Sequence, residues 1–150
     1  MLRKELIVLG LEGSTSEEVL RNLSARFVKA GVAKDTYPDA LVVREKKYPT
    51  ALPATAFDVA VPHTFKEYIN EPAVGIGVLK EPVAFQQMGS PEITLHPQIL
   101  FMLAITDPNE QISLLRKIMK LIQDKDELVK IRNAKSPDEI YDMLAPVFNQ

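Results

Sequence analysis

The chain reads as an α/β fold, a mixed sheet of four to five strands flanked by helices on both faces. Three observations predict it. Short apolar runs of strand length alternate with longer stretches of helical period. Residues 99–106, ILFMLAIT, are apolar on both faces, as in a central strand covered by helices on both sides. Within AVGIGVL, residues 73–79, Gly75 and Gly77 leave one strand face bare for close approach. At 150 residues the expected organisation is one domain, residues 1–150, without repeat, low-complexity segment or linker.

Residues 5–11, ELIVLGL, supply a first strand. Thr15 and Glu18 then make a capping box, and Val19, Leu20, Leu23 and Phe27 recur at helical spacing until Gly31 stops the helix. A second helix spans about Tyr37 to Lys47, with Tyr37, Leu41, Arg44 and Tyr48 on one face. Residues 56–61, AFDVAV, alternate as a strand, with Phe57, Val59 and Val61 on one side, and Pro62 ends it. AVGIGVL is the next strand. PVAFQQM, residues 82–88, is a further one, its leading proline suited to an edge or a strand start. After the apolar run, Asp107, Pro108 and Glu110 open a helix whose expected buried stripe is Ile112, Leu115, Met119 and Ile122. A helix over about 126–133 follows. Ser136, Pro137 and Glu139 start the last, which carries Ile140, Met143 and Leu144.

Composition removes several function classes. A hydrophobic fraction of 46% and a charged fraction of 25% are ordinary for a soluble globular protein. A net charge of -2 gives no basic face for nucleic acid. Without cysteine there is no disulfide, thiolate nucleophile or cysteine metal site, and two histidines without HExxH spacing make a zinc site a poor expectation. No apolar run approaches the roughly 18 residues of a membrane span, and the N-terminus lacks a signal-peptide pattern. The expected location is the cytoplasm, and the intact helix ends lead to the expectation of a free-standing protein.

Chemistry concentrates in residues 44–64, REKKYPTALPATAFDVAVPHT. His63 leaves the end of a strand, where sites of α/β sheets collect, and Pro62 restricts the backbone leading into it. Thr50 and Thr64 offer hydroxyl donors nearby. Arg44 lies on or beside the apolar stripe of its helix, so two roles stand open. Its guanidinium either snorkels to solvent or a local carboxylate, or turns inward as the planar cation a phosphate needs. A structural role for His63 also stands open. His96, in a loop before Pro97 with no evident acid or base beside it, reads as surface or structural. Neither histidine lies in a hydrolase elbow or a Ser-His-Asp pattern, and GxG inside a strand is not a nucleotide fingerprint.

REKKYPTAL, VAVPHT, and LFMLAI followed by an acid-rich helix start together resemble the fructose–mannitol type (type 2) enzyme IIA of the bacterial sugar phosphotransferase system. The resemblance runs from about residue 5 to residue 147, and PVAFQQMG looks most like the galactitol-specific branch. It implies a mannitol-type enzyme IIA sandwich. It further implies that His63 accepts a phosphoryl group from the small carrier HPr and passes it to a cysteine of the cognate enzyme IIB. No metal or other cofactor is implied, and the membrane is reached only through the transporter complex. Arg44 matches the arginine near the active histidine, and Thr50 matches the Pro-Thr turn. The chain departs from the pattern at Ala51, where glycine is usual, and at Gln111, where mannitol-type members carry a second histidine that His96 does not match. Gln111 nonetheless falls in the first turn of its helix, where its amide and the helix N-terminus favour an anion. The regulatory nitrogen-type enzyme IIA, which signals by its phosphorylation state, resembles the chain as well.

Overall fold

The computed structural model describes residues 1–149. Among these, seven strands form one mixed sheet: β1 (Leu2–Leu11), β2 (Ala51–Leu52), β3 (Val59–Ala60), β4 (Ala73–Leu79), β5 (Phe85–Gln87), β6 (Ser90–Leu95) and β7 (Ile99–Ala104). Their order across the sheet is β1-β4-β7-β3-β2-β5-β6. Helices α1 (Ser16–Lys29) and α2 (Tyr37–Lys47) cover one face. Helices α3 (Pro108–Leu121), α4 (Lys125–Asn133) and α5 (Pro137–Phe148) cover the other. The α/β class stands, whereas the expected four to five strands become seven. Two of the additions are too short or too polar to announce themselves: β2 has two residues, and β6 is mostly exposed. The strand expected over 56–61 also shrinks to Val59–Ala60, although single backbone bonds continue at Asp58, which accepts the Gln98 N–H, and at Val61.

Every residue of β4 and β7 is buried, as a run apolar on both faces requires. On β7, Ile99, Phe101 and Leu103 face the α3–α5 layer, and Leu100, Met102 and Ala104 face α1 and α2. Gly75 and Gly77 are where α1 comes closest. A Cβ on Gly75 would sit 2.6 Å from the Phe27 ring and 2.9 Å from the Leu6 carbonyl oxygen, inside contact distance. Neither a ring packed in the core nor a strand backbone yields cheaply. Gly75→Ala is therefore expected to lower the stability of the folded chain by about 1–3 kcal/mol, read as a shift in urea midpoint. The tight β5–β6 hairpin likewise needs Gly89, whose φ is +77°.

The helix starts follow the capping signals, except that Asp107 accepts the Asn109 N–H and Glu110 closes no box with it, and that the first capping box is shifted. Thr15 accepts the Glu18 backbone N–H as expected, but the Glu18 carboxylate reaches past Thr15 to the N–H of Ser14 at 2.9 Å. Glu139 repeats the pattern with Ser136 and Lys135. On α3 the buried stripe is Leu114, Ile118 and Leu121, with Ile122 buried at the helix end. Of the expected stripe, Ile112 and Met119 lie toward solvent instead, Ile112 being 53% exposed, while Leu115 is half-buried against the core. Helix α3 carries two overlapping apolar stripes, and periodicity alone does not say which one meets the sheet. No helix among the described residues is long and apolar enough to cross a membrane.

Candidate functional site

Strand directions bring the site together. Strand β3 runs parallel to β7 and antiparallel to β2. The end of β3, the end of β7 and the start of β2 therefore meet at one edge of the sheet. His63 leaves there three residues after β3, α3 begins there after β7, and the C-terminal turn of α2 with Arg44 arrives there just before β2. Backbone pairing continues past the strand ends: Val61 N–H donates to Thr50 C=O at 3.1 Å, and Leu103 N–H donates to Pro62 C=O at 2.9 Å. The residues leading to His63 are thus held on both sides.

His63 is half-buried, and its Nδ1 lies 2.8 Å from the Val61 carbonyl oxygen. A carbonyl oxygen only accepts, so Nδ1 carries the proton and Nε2 keeps its lone pair. Burial, and to a lesser degree the Arg44 charge, holds the imidazole pKa below its ordinary value, while the Val61 bond acts the other way. The ring is neutral at neutral pH, with Nε2 available as a nucleophile.

Arg44 lacks the carboxylate partner that one of its two readings offered. Its guanidinium stacks over the Tyr48 ring, 4.1 Å from the centroid, and over the Phe65 ring at 4.8 Å. Among the described residues no carboxylate pairs with it. The plane is held by aromatic faces while its edge donors stay free for an anion. Val43, Arg44, Tyr48, Thr64 and Phe65 line a cleft of about 510 Å³ beside His63.

Thr50 is buried and faces away from that cleft. Its backbone N–H donates to Glu45 Oε2 at 2.8 Å and its hydroxyl to Glu45 Oε1 at 2.7 Å. A hydroxyl so engaged is not a free phosphate donor, and what Thr50 holds is the turn into β2. Glu45 itself was not among the residues singled out from the sequence. The signal was present, since 37, 41 and 45 form an i, i+4, i+8 row on the buried side of α2.

Burial pushes the Glu45 carboxyl up to about 7, against the two Thr50 bonds, which pull it down. Between the ordinary 4.5 and 7 the folded chain holds a proton there that the unfolded chain has released. This contribution to stability is therefore complete below 4.5 and is lost as pH rises through 7. The loss is at most about 3 kcal/mol. His63 acts in the opposite sense, costing stability as pH falls below the ordinary histidine value. Glu45→Gln cannot ionise, and urea midpoints of both proteins at about pH 5 and about pH 8 are expected to show a shallower fall with rising pH in the variant.

Gln111 lies in the first turn of α3 and shares a small cleft with Thr64, Phe65 and Asp107, so the fold brings it to the His63 edge. Its backbone N–H already donates to Asp107 C=O, leaving the side-chain amide as its free donor. His96 stands apart on the exposed turn between β6 and β7. An acid does lie beside it, contrary to expectation: the Asp58 carboxylate accepts its backbone N–H at 3.0 Å, which anchors the turn and leaves the imidazole exposed. No group of three or more metal-ligating side chains occurs among the described residues.

A neutral, tautomer-locked histidine beside a carboxylate-free arginine, on this sheet, directs the comparison with known proteins. Residues 1–146 match the family described as phosphoenolpyruvate-dependent sugar phosphotransferase system, EIIA 2. The chain belongs to that family. Among EIIA proteins it is similar to the galactitol-specific EIIA component of Escherichia coli (strain K12), at 26% identity over 78% of this chain and 77% of that one. The crystal structure of IIA mannitol from Escherichia coli superposes with a TM-score of 0.79 at 26% identity, covering 97% of this chain and 99% of the other. The same mannitol IIA in complex with phosphorylated enzyme IIB superposes equally, at 0.79 and 24% identity, over 97% and 99%. The nitrogen regulatory protein IIA-Ntr of Neisseria meningitidis shares the fold at a TM-score of 0.73 and 18% identity, over 95% of each chain. An EIIA of this type is a phosphoryl-carrier component of a sugar phosphotransferase system.

Proposed function

We propose that this EIIA accepts a phosphoryl group on Nε2 of His63 from phospho-HPr and passes it to a cysteine of its cognate enzyme IIB, in the cytoplasm, for uptake of a sugar or sugar alcohol. Similarity to the galactitol-specific component favours galactitol. The observation that carries the reading is the lock on His63: Nδ1–H is donated to Val61, so a single nitrogen, Nε2, is left to react.

In the first transfer the Nε2 lone pair forms a bond to phosphorus as the bond from phosphorus to the donor histidine breaks. The leaving imidazole keeps that electron pair. In the second, the IIB cysteine thiolate forms the new bond and His63 Nε2 leaves as a neutral ring. The transferring group spreads negative charge over three oxygens, so the protein contributes position and electrostatics. Arg44 supplies the cation in both steps. The Gln111 amide and the N-terminus of α3 support the phosphate from the other side, and Thr50 supports it indirectly by holding the turn. The chemistry runs between side chains and calls for no metal or nucleotide.

Docking falls to the apolar rim around His63, where Phe65 is 54% exposed and Val43 and Tyr48 are exposed with it. Leu52, half-buried at the same edge, is a lesser part of it. Membrane association is indirect, through the transporter that carries IIB. The complex of mannitol IIA with phosphorylated IIB supports a IIB partner.

The test is transfer onward. The chain, charged with phosphoenolpyruvate, enzyme I and HPr, is expected to hand an acid-labile phosphate to the cysteine of a galactitol-type IIB. A regulatory protein of nitrogen type would take up the label and keep it.

A further inference from the structure

We infer that Glu45 is a positioning residue for phosphoryl transfer, acting on His63 through the turn at Thr50 and the backbone of Val61. Four hydrogen bonds make the connection. The Glu45 carboxylate takes the N–H and the hydroxyl of Thr50 at 2.8 and 2.7 Å. The Thr50 carbonyl takes the N–H of Val61 at 3.1 Å. The Val61 carbonyl takes Nδ1–H of His63 at 2.8 Å. Strand β2 has only two residues, and one of its neighbours, β3, is equally short. On one side the segment that carries His63 is held by β7, through the Leu103 N–H bond to the Pro62 carbonyl; on the other it leans on this short β2, whose start takes an anchor from outside the sheet.

Glu45 is that anchor, and it sits where the geometry asks for one. Helix α2 ends at Lys47, and Pro49 has no N–H to continue any pattern. Thr50 N–H is thus the first donor beyond the C-cap residue Tyr48, whose own N–H closes on the Arg44 carbonyl, and it is buried and without a strand partner of its own. The carboxylate takes it from the same helical turn that holds Arg44, one residue earlier in the chain. One rigid segment therefore sets both the cation and, through Thr50 and Val61, the height and rotation of the imidazole. Glu45 does not face the phosphate. It lines a separate recess with Leu20, Val42 and Phe85 on the α1 side of the sheet. The link is mechanical and not electronic, because the N–H and C=O of Thr50, and again of Val61, belong to different peptide planes. Its elevated carboxyl pKa fits the burial that such an anchor entails.

The inference rests on His63 being the phosphoryl acceptor, and the experiment separates the two. Glu45→Ala removes the anchor. Glu45→Gln keeps it, since the amide oxygen accepts Thr50 N–H and the amide nitrogen donates to the Thr50 hydroxyl. Two readouts are taken on each: single-turnover transfer from phospho-HPr over a range of donor concentrations, and the His63 tautomer by ¹⁵N NMR. Glu45→Ala is expected to slow transfer at saturating donor about tenfold with little change in the half-saturating concentration. It is also expected to turn a single Nδ1–H tautomer into a mixture, with Glu45→Gln restoring both.

A folded Glu45→Ala protein with wild-type rate and wild-type tautomer would overturn the inference. Should that variant fail to fold, Thr50→Val, which removes the hydroxyl but keeps both backbone bonds, is expected to loosen the tautomer partway. An unchanged tautomer there would count equally against it. The tautomer is read without any phosphoryl donor. A wild-type chain that takes no label on His63 but shows the locked tautomer would sink the carrier reading while leaving the mechanical link standing.

Discussion

His63→Ala is expected to abolish phosphoryl acceptance outright while leaving the fold in place. The chain holds only one other imidazole, His96, on an exposed turn remote from Arg44. Incubated with phosphoenolpyruvate, enzyme I and HPr, the wild-type chain should gain one acid-labile phosphate by intact mass. His96→Ala should gain it too, and His63→Ala should gain none. The side chain is half-buried at a strand end and forms no part of either apolar layer. Removing it forfeits chiefly the bond to the Val61 carbonyl, about 1 kcal/mol. A urea midpoint near wild type is therefore expected. A collapsed midpoint, or a label that survives in the variant, would remove His63 from the role.

Arg44→Ala is expected to slow transfer about 10²- to 10³-fold, the usual cost of losing one donor aimed at developing negative charge. Arg44→Lys should recover only part of this. The ammonium keeps the charge but gives up the planar group's contacts with the Tyr48 and Phe65 rings that help aim the donors. Folding should suffer by no more than about 1 kcal/mol, since two aromatic contacts at partly exposed positions are all that is lost. A second signature separates electrostatics from shape. Arg44 is one of the causes that hold the His63 pKa down, so its removal should move the imidazole pKa upward, toward the ordinary value. NMR titration of wild type and Arg44→Ala reads this directly. Equal transfer rates in all three proteins would take Arg44 out of the site.

His63 and Arg44 could be singled out from the sequence because each is tied to a strong local signal. Pro62 marks where the strand ends, and Arg44 falls on the face of α2 defined by Tyr37 and Leu41. Glu45 escaped for a reason of the same kind. A charged residue on a helix is read as solvated unless something shows its partner, and the partner here is a buried backbone amide five residues later. Thr50 was found but read with its hydroxyl toward phosphate. Nothing local says that the hydroxyl turns inward instead, because that depends on where α2 lies over the sheet.

By itself the sequence determined the α/β class, the buried interior strands β4 and β7, the close approach at Gly75 and Gly77, and most helix starts. Each of these follows from side-chain periodicity, glycine geometry or capping chemistry acting over a few residues. Tertiary structure alone decided that the short strand β2 exists and that the strand expected over 56–61 keeps only Val59–Ala60, since two-residue strands are defined by their neighbours and not by their own composition. It decided which stripe of α3 is buried, because both stripes are apolar and only the packing of the helix on the sheet chooses between them. It also decided that Arg44, His63 and Gln111 share one edge. That convergence comes from β3 running parallel to β7 and antiparallel to β2, a relation among segments far apart in the chain, which no local pattern encodes.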